Sequence, residues 1–333
     1  MTTIRWGMIG CGDVAEVKSG PGFYKARDST LAAVMRRDRA RAADFARRHG
    51  VPRFHDDADA IIDADDIDAV YIATMTDSHH DYTLRCAAAG KAVYVEKPMA
   101  LELAQAVEMV DACKARGVPL WVAYYRRALP RFVAVREMIA DGAIGDVRMV
   151  SLRQLQAAPA PEALESHALA WRDDGARGGG LFFEGVGHTL DILDFLLGPI
   201  ADVQAFADNQ ARAYTMEDVV VAGFRFASGV YGSGTWCYAS GVAEEYVEVI
   251  GSRGTIRFSV TRPVPIRVIK PTGTTEMPIA DPPHVQQPLI QSIVDEMNGE
   301  GRCPSSGETA LRTARVLDAI VRGFRARRDE RAE

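Results

Sequence analysis

The chain has 333 residues, 47% of them hydrophobic and 25% charged, with a formal net charge of −6. That length exceeds what one hydrophobic core usually fills, so two domains are expected, and the composition is that of an ordinary globular protein rather than a disordered or membrane-embedded one. The acidic balance offers no basic footprint for nucleic acid or an anionic membrane, so neither is expected as a partner.

From the N-terminus, short β-branched runs alternate with Ala-rich amphipathic stretches, the pattern of βαβ units on a parallel sheet. Strands are predicted at 4–9, 30–35, 69–74, 92–95 and 120–123, with helices at 39–49, 79–89 and 103–116 closed by Gly50, Gly90 and Gly117. A glycine just past a helix suits a left-handed C-cap. The first strand runs into Gly10-Cys11-Gly12-Asp13-Val14-Ala15, a G-x-G-x-x-A turn in the strand–turn–helix setting that a dinucleotide pyrophosphate needs. One glycine makes the tight turn, another lets backbone N–H groups approach the anion, and the helix N-terminus adds a favourable field. Ser19-Gly20-Pro21-Gly22 is expected to interrupt the following helix after a turn or two.

At the end of the second strand, where an acid usually reads the adenosine ribose, stands Met35-Arg36-Arg37-Asp38. Arg36 and Arg37 favour a 2′-phosphate through charge-assisted hydrogen bonds, and Asp38 could still serve the ribose of NAD. At about 1.5–3 kcal/mol per bond to a charged group, one contact favours NADP by roughly tenfold to a hundredfold. NADP is therefore the expected cofactor, with NAD the alternative. Val95-Glu96-Lys97-Pro98 ends the fourth predicted strand, on the edge where open parallel sheets place their ligands. The Lys97 ammonium is a ready acid for carbonyl reduction and becomes a base only where desolvation or a nearby positive charge lowers its pKa.

Beyond about residue 121 the texture changes to longer strands at 148–156, 219–226, 229–238 and 245–250, with helices at 130–141, 187–197, 284–298 and 307–325. The expected division is a Rossmann domain over 1–121 and a substrate-binding and oligomerisation domain over 122–333. The fold class is α/β: a doubly wound parallel sheet, then an α+β domain with a large, mainly antiparallel open sheet. Gly178-Gly179-Gly180 precede Glu184 and His188, whose i, i+4 spacing puts them on one face, as a second acid/base site, if the helix starts ahead of residue 187. A packed core histidine is the alternative, since Leu190, Ile192 and Leu193 follow. A broad sheet with Trp236 and Tyr238 on one face is expected to be covered in a homodimer or homotetramer. Five scattered cysteines without a Cys-x-x-Cys pair argue against a disulfide framework and a metal site. No apolar signal region opens the sequence, so a cytoplasmic, unanchored protein is expected.

Together these motifs resemble the Gfo/Idh/MocA oxidoreductases, the family of glucose-fructose oxidoreductase and inositol dehydrogenase. The resemblance runs through Gly10 to Ala15, Ala73-Thr74 to His79, Ala89-Gly90-Lys91, Glu96-Lys97-Pro98, Tyr125-Arg126, Gly142 to Gly145, Trp171-Arg172, the triple glycine with His188, and Ser306-Gly307. It implies Lys97 as catalytic acid/base, with His188 assisting at the substrate hydroxyl and Glu184 beside it. It implies a cofactor set of Gly10, Gly12, Asp13, Val14, Arg36, Arg37, Thr74, His79, Glu96, Lys97, Trp171 and Arg172, and a sugar-like or polyol substrate held by Lys97, Tyr125, Arg126, Glu184 and His188. Three positions depart from the family pattern: Glu184 replaces an Asp, and Met75 and Asp174 each replace a Pro. The family also admits a dinucleotide-dependent sensor or repressor, and a redox-assisted glycoside hydrolase or epimerase with tightly bound NAD. The intact Lys97 and His188 speak against the first, and Arg36 and Arg37 against the second.

Overall fold

A computed structural model describes residues 1–160 and 179–330; the expectations placed on Trp171, Arg172, Asp174 and Gly178 lie outside these. The chain divides into two compact units, Met1–Leu129 with Pro282–Leu311, and Pro130–Asp281 with Arg312–Glu333. Where the sequence suggests one boundary at 121/122, the chain changes unit at 129/130, 281/282 and 311/312. A segment that returns to an earlier unit leaves no compositional break to read.

The first unit holds six parallel strands: β1 (Ile4–Ile9), β2 (Ser29–Met35), β3 (Arg53–His55), β4 (Ala69–Ile72), β5 (Ala92–Val95) and β6 (Leu120–Val122). Their order is β3-β2-β1-β4-β5-β6, so the winding reverses between β1 and β4, the switch point at which doubly wound sheets bind ligands. Every residue of β4 and β5 is buried, which is why they read as unbroken apolar runs. The helices are α1 (Gly20–Lys25), α2 (Arg39–His49), α3 (Asp59–Ile62), α4 (His79–Ala88) and α5 (Leu103–Arg116). Gly50 and Gly117 cap α2 and α5 at φ 67° and 65°. The short β3 and α3 were not predicted, because three or four residues carry no periodicity.

The expected break at Ser19-Gly20-Pro21-Gly22 does not occur. Residues Ala15–Ser19 form a π-turn whose last bond runs from the Gly20 N–H to the Ala15 carbonyl, and α1 continues through Pro21. A side chain at Gly20 would start 2.2 Å from the Ala15 carbonyl oxygen, so glycine is what allows the wide turn that admits the proline.

Among its described residues the second unit carries α6 (Pro130–Ala140), α7 (Gly180–Leu197) and eight strands: β7 (Val147–Leu155), β8 (Ile200–Asp208), β9 (Val219–Phe226), β10 (Tyr231–Cys237), β11 (Glu244–Gly251), β12 (Thr255–Phe258), β13 (Ile266–Lys270) and β14 (Gly273–Met277). The order is β14-β13-β12-β11-β7-β10-β9-β8, antiparallel throughout except for the parallel β7–β10 pair. Two more helices follow, α8 (Gln287–Met297) in the first unit and α9 (Gly307–Glu330), whose residues from Arg312 onward belong to the second. Trp236 and Tyr238 occupy the buried face, not the open one, with the Trp236 ring edge-on to Phe182 of α7 at 5.3 Å. The open face presents Phe206, Val221, Tyr231 and Met149 instead, and Phe206 is 85% exposed. Strict alternation along β9 and β10 puts even-numbered residues against the helix, which decides the matter. Among the described residues no helix is long and apolar enough to cross a membrane.

Candidate active site

The site residues expected from sequence come, in the first unit, from the turn after β1 and the ends of β2, β4, β5 and β6 and, in the second, from α7. At the first of these, Gly10 sits at φ 95°, and a Cβ there would lie 2.8 Å from the Ala73 carbonyl group. Only glycine fits between the ends of β1 and β4. Gly12 faces open space: the nearest atom to an added Cβ is the Gly10 oxygen at 3.9 Å. The helical turn opening at Asp13 and Val14 leaves its first N–H groups without an acceptor one turn back, so this cradle fits a pyrophosphate.

Arg36 reaches from the end of β2 to the turn, donating to the Cys11 carbonyl at 3.2 Å, while Arg37 is exposed. Asp38 is the N-cap of α2, accepting the Arg41 N–H at 3.1 Å. Thr74 follows β4, its hydroxyl 2.8 Å from that of Ser78. His79, assigned to the cofactor from sequence, is buried instead as a brace: its Nδ1 lies 2.9 Å from the Pro98 carbonyl and its Nε2 3.2 Å from that of Thr74. Burial lowers its pKa, so the ring is neutral, and the shorter contact assigns its single proton to Nδ1.

Glu96 and Lys97 leave the end of β5. The Glu96 carboxylate, also assigned to the cofactor, is only 8% exposed and turns into the unit. Its Oε1 accepts from the Tyr71 hydroxyl at 2.7 Å and from Gln286 Nε2 at 2.6 Å, and its Oε2 accepts the Lys97 N–H at 3.3 Å. Lys97 is half-buried on the same strand edge as the turn. Past β6, Tyr125 is buried in a short 3-10 turn and the Arg126 guanidinium lies over its ring at 5.1 Å. Sequence reading missed Tyr71, Tyr94 and Gln286. The two tyrosines hide in strands that read as core, and Gln286 sits in a segment with no motif.

In the second unit, α7 begins at Gly180 rather than at residue 187, so Glu184 and His188 share one helix a turn apart, both buried. Gly180 has φ 96°, and a Cβ there would lie 2.6 Å from Met216 Cβ. The helix is fixed by a two-point ion pair from Asp194 to Arg312 of α9, 2.8 and 2.7 Å, and by Asp191 accepting from Thr313 at 3.3 Å.

Residues 4–124 match the model of an oxidoreductase family with an NAD-binding Rossmann fold, and residues 132–257 match the GFO/IDH/MocA C-terminal domain. Oxidoreductase P35 of Formosa agariphila is 36% identical over 320 residues, which is 95% of this chain and 98% of that protein. Inositol 2-dehydrogenase of Rhizobium meliloti is 30% identical over 340 residues, 98% of each chain. Among solved structures, the WlbA dehydrogenase from Bordetella pertussis in complex with NADH and UDP-GlcNAcA superposes with a TM-score of 0.81 at 25% identity, covering 97% of both chains.

Proposed function

We propose, from the premise that the chain belongs to the GFO/IDH/MocA family of oxidoreductases, that it is an NADP-preferring dehydrogenase or reductase acting on a secondary alcohol or ketone of a sugar, polyol or related hydroxylated substrate. When bound, the dinucleotide supplies the hydride acceptor or donor at its nicotinamide C4. The Gly10–Ala15 turn and Arg36 hold its phosphates, and Lys97 exchanges the substrate hydroxyl proton. His188 and Glu184 assist Lys97 at that hydroxyl, and Tyr125 and Arg126 contribute to substrate binding.

The observation that carries the reading is the place of Lys97. It stands at the C-terminal end of β5, next but one to β1 across β4 in a parallel sheet, on the edge where the phosphate cradle also opens. Reduction needs a proton delivered to the forming alkoxide, and an ammonium on this edge can deliver it. The inositol dehydrogenase and the nucleotide-sugar complex among the similar proteins support a hydroxylated substrate.

The test is Lys97→Ala, screened with NADP⁺ against myo-inositol, aldoses and sugar acids. Turnover should fall by at least about a hundredfold while NADPH still binds. Retained turnover sinks the assignment. For assembly, the open sheet face of the second unit is proposed to meet a second copy. Phe206 and Val221 are direct cross-strand partners there, and the ion pairs Arg153–Glu244 and Arg225–Asp202 place both signs of charge on the same sheet.

A further inference from the structure

Glu96 is the meeting point of a hydrogen-bond network buried inside the first unit. Tyr71 on β4 and Tyr94 on β5 are direct neighbours in register, with rings stacked at 5.0 Å. Burial, with the Glu96 charge second, raises both phenols well above their usual pKa, so each keeps its proton and acts as a donor. Tyr71 has one proton, and its 2.7 Å contact with Glu96 takes it. The Ser19 hydroxyl stands 3.0 Å from the phenol and donates its own proton to the Val14 carbonyl at 3.4 Å.

On the other side, the Tyr94 hydroxyl donates to Gln286 Oε1 at 2.7 Å, which fixes the amide so that Nε2 points to Glu96 at 2.6 Å. Gln286 is 0% exposed, and its backbone N–H donates to the Lys18 carbonyl at 3.2 Å. Two donors, the Tyr71 hydroxyl and the Gln286 amide set by Tyr94, thus converge on one carboxylate oxygen. The other oxygen accepts the Lys97 N–H. The Tyr71 hydroxyl also lies against Ser19 of the π-turn behind the phosphate cradle, and Gln286 reaches Glu96 from 190 residues downstream. Such a network locks a side chain only while every member is satisfied.

We infer that, given Lys97 as the proton-exchanging group, Gln286 and Tyr71 are positioning residues for it, acting through the Glu96 carboxylate. Neither need touch substrate or dinucleotide. Removing either donor leaves Glu96 free to turn and releases the backbone from which Lys97 projects, and small misplacements of a reacting group are costly in rate.

Cyanate reads the Lys97 amine without any substrate, because carbamylation can be followed lysine by lysine by peptide mass spectrometry. The exposed Lys114 is the internal reference. At pH 8 the Lys97-to-Lys114 rate ratio should change by at least about threefold in Gln286→Met and in Tyr71→Phe. In Glu96→Gln/Gln286→Met it should equal that of Glu96→Gln alone, since the effect passes through Glu96. Tyr71→Phe keeps the ring packing and carries the test if Gln286→Met does not fold. An unchanged ratio, or a Gln286→Met effect that persists in full on top of Glu96→Gln, overturns the inference. Turnover of Lys97→Ala separates the two failures. If that variant stays active, the catalytic reading falls; if it is inactive while the ratio is unmoved, only the positioning role falls.

Discussion

The carboxylate of Asp38 accepts the backbone N–H of Arg41 at 3.1 Å and ion-pairs with the Arg41 side chain at 3.3 Å. An acid engaged as a helix cap is less available to a ribose hydroxyl, while Arg36 two residues earlier already touches the phosphate turn. NADPH is therefore expected to bind at least about tenfold tighter than NADH, and Arg36→Asp should erase the difference. Paired fluorescence titrations measure both. Equal affinity in the parent chain would return Asp38, or a tightly held NAD, to the front.

Gly10 tolerates no side chain. Gly10→Ala must place a Cβ 2.8 Å from the Ala73 carbonyl at a φ of 95°. The expected cost is about 2–4 kcal/mol of stability together with loss of dinucleotide binding, since the turn must open to relieve the clash. Gly12→Ala, where the space is open, should lower affinity for the dinucleotide and leave stability within about 1 kcal/mol. Urea unfolding alongside titration separates the two variants.

Glu217 is wholly buried, among the described residues no other side chain hydrogen-bonds its carboxylate, and burial pushes its pKa up to about 7 against its own backbone N–H and the pull of Arg325 and Arg328. In the unfolded chain a glutamate titrates near about 4.3. Between those values the native state holds a proton that the unfolded state has lost, so this group's contribution is fully present below about 4.3 and is lost as pH rises to about 7. Glu217→Gln should be more stable than the parent by about 2–3 kcal/mol at pH 8 and equal to it at pH 4.5. Urea midpoints at the two pH values decide it.

Phe206 is the most exposed large hydrophobic side chain on the open sheet face among the described residues, paired across strands with Val221. If a second copy covers that face, Phe206→Asp should convert the assembly to monomer with its dinucleotide affinity intact. Light scattering at matched concentrations checks this, and a parent chain that is already monomeric removes the proposal.

Much of the first unit was legible because parallel strands buried on both faces and glycine-stopped helices leave strong local patterns. Five of its six strands, and α2, α4 and α5, fall where periodicity put them. The glycine turn after β1, the place of Lys97 at a strand end and the one-turn spacing of Glu184 and His188 were legible for a related reason, since each depends on spacing within a few residues. The helix through Pro21 was not, because the compensating π-turn depends on a contact a glycine permits rather than on any residue's propensity. Strand β8 and the start of α7 were missed where apolar residues and glycines fit more than one period, and β12, β13 and β14 were missed because four or five residues carry little periodicity.

What the sequence by itself determined is the chemistry on offer: a nucleotide turn, a lysine at a strand end, an acid and a histidine one helical turn apart, and the family they belong to. Only the tertiary structure decided which way the side chains beside them face. Glu96 and His79 turn inward because buried donors and carbonyls from distant segments satisfy them there, and Trp236 and Tyr238 lie beneath α7 because strand parity leaves them no other side. Hydrogen bonds across 190 residues have no signature in local spacing; they exist only once the chain has closed on itself.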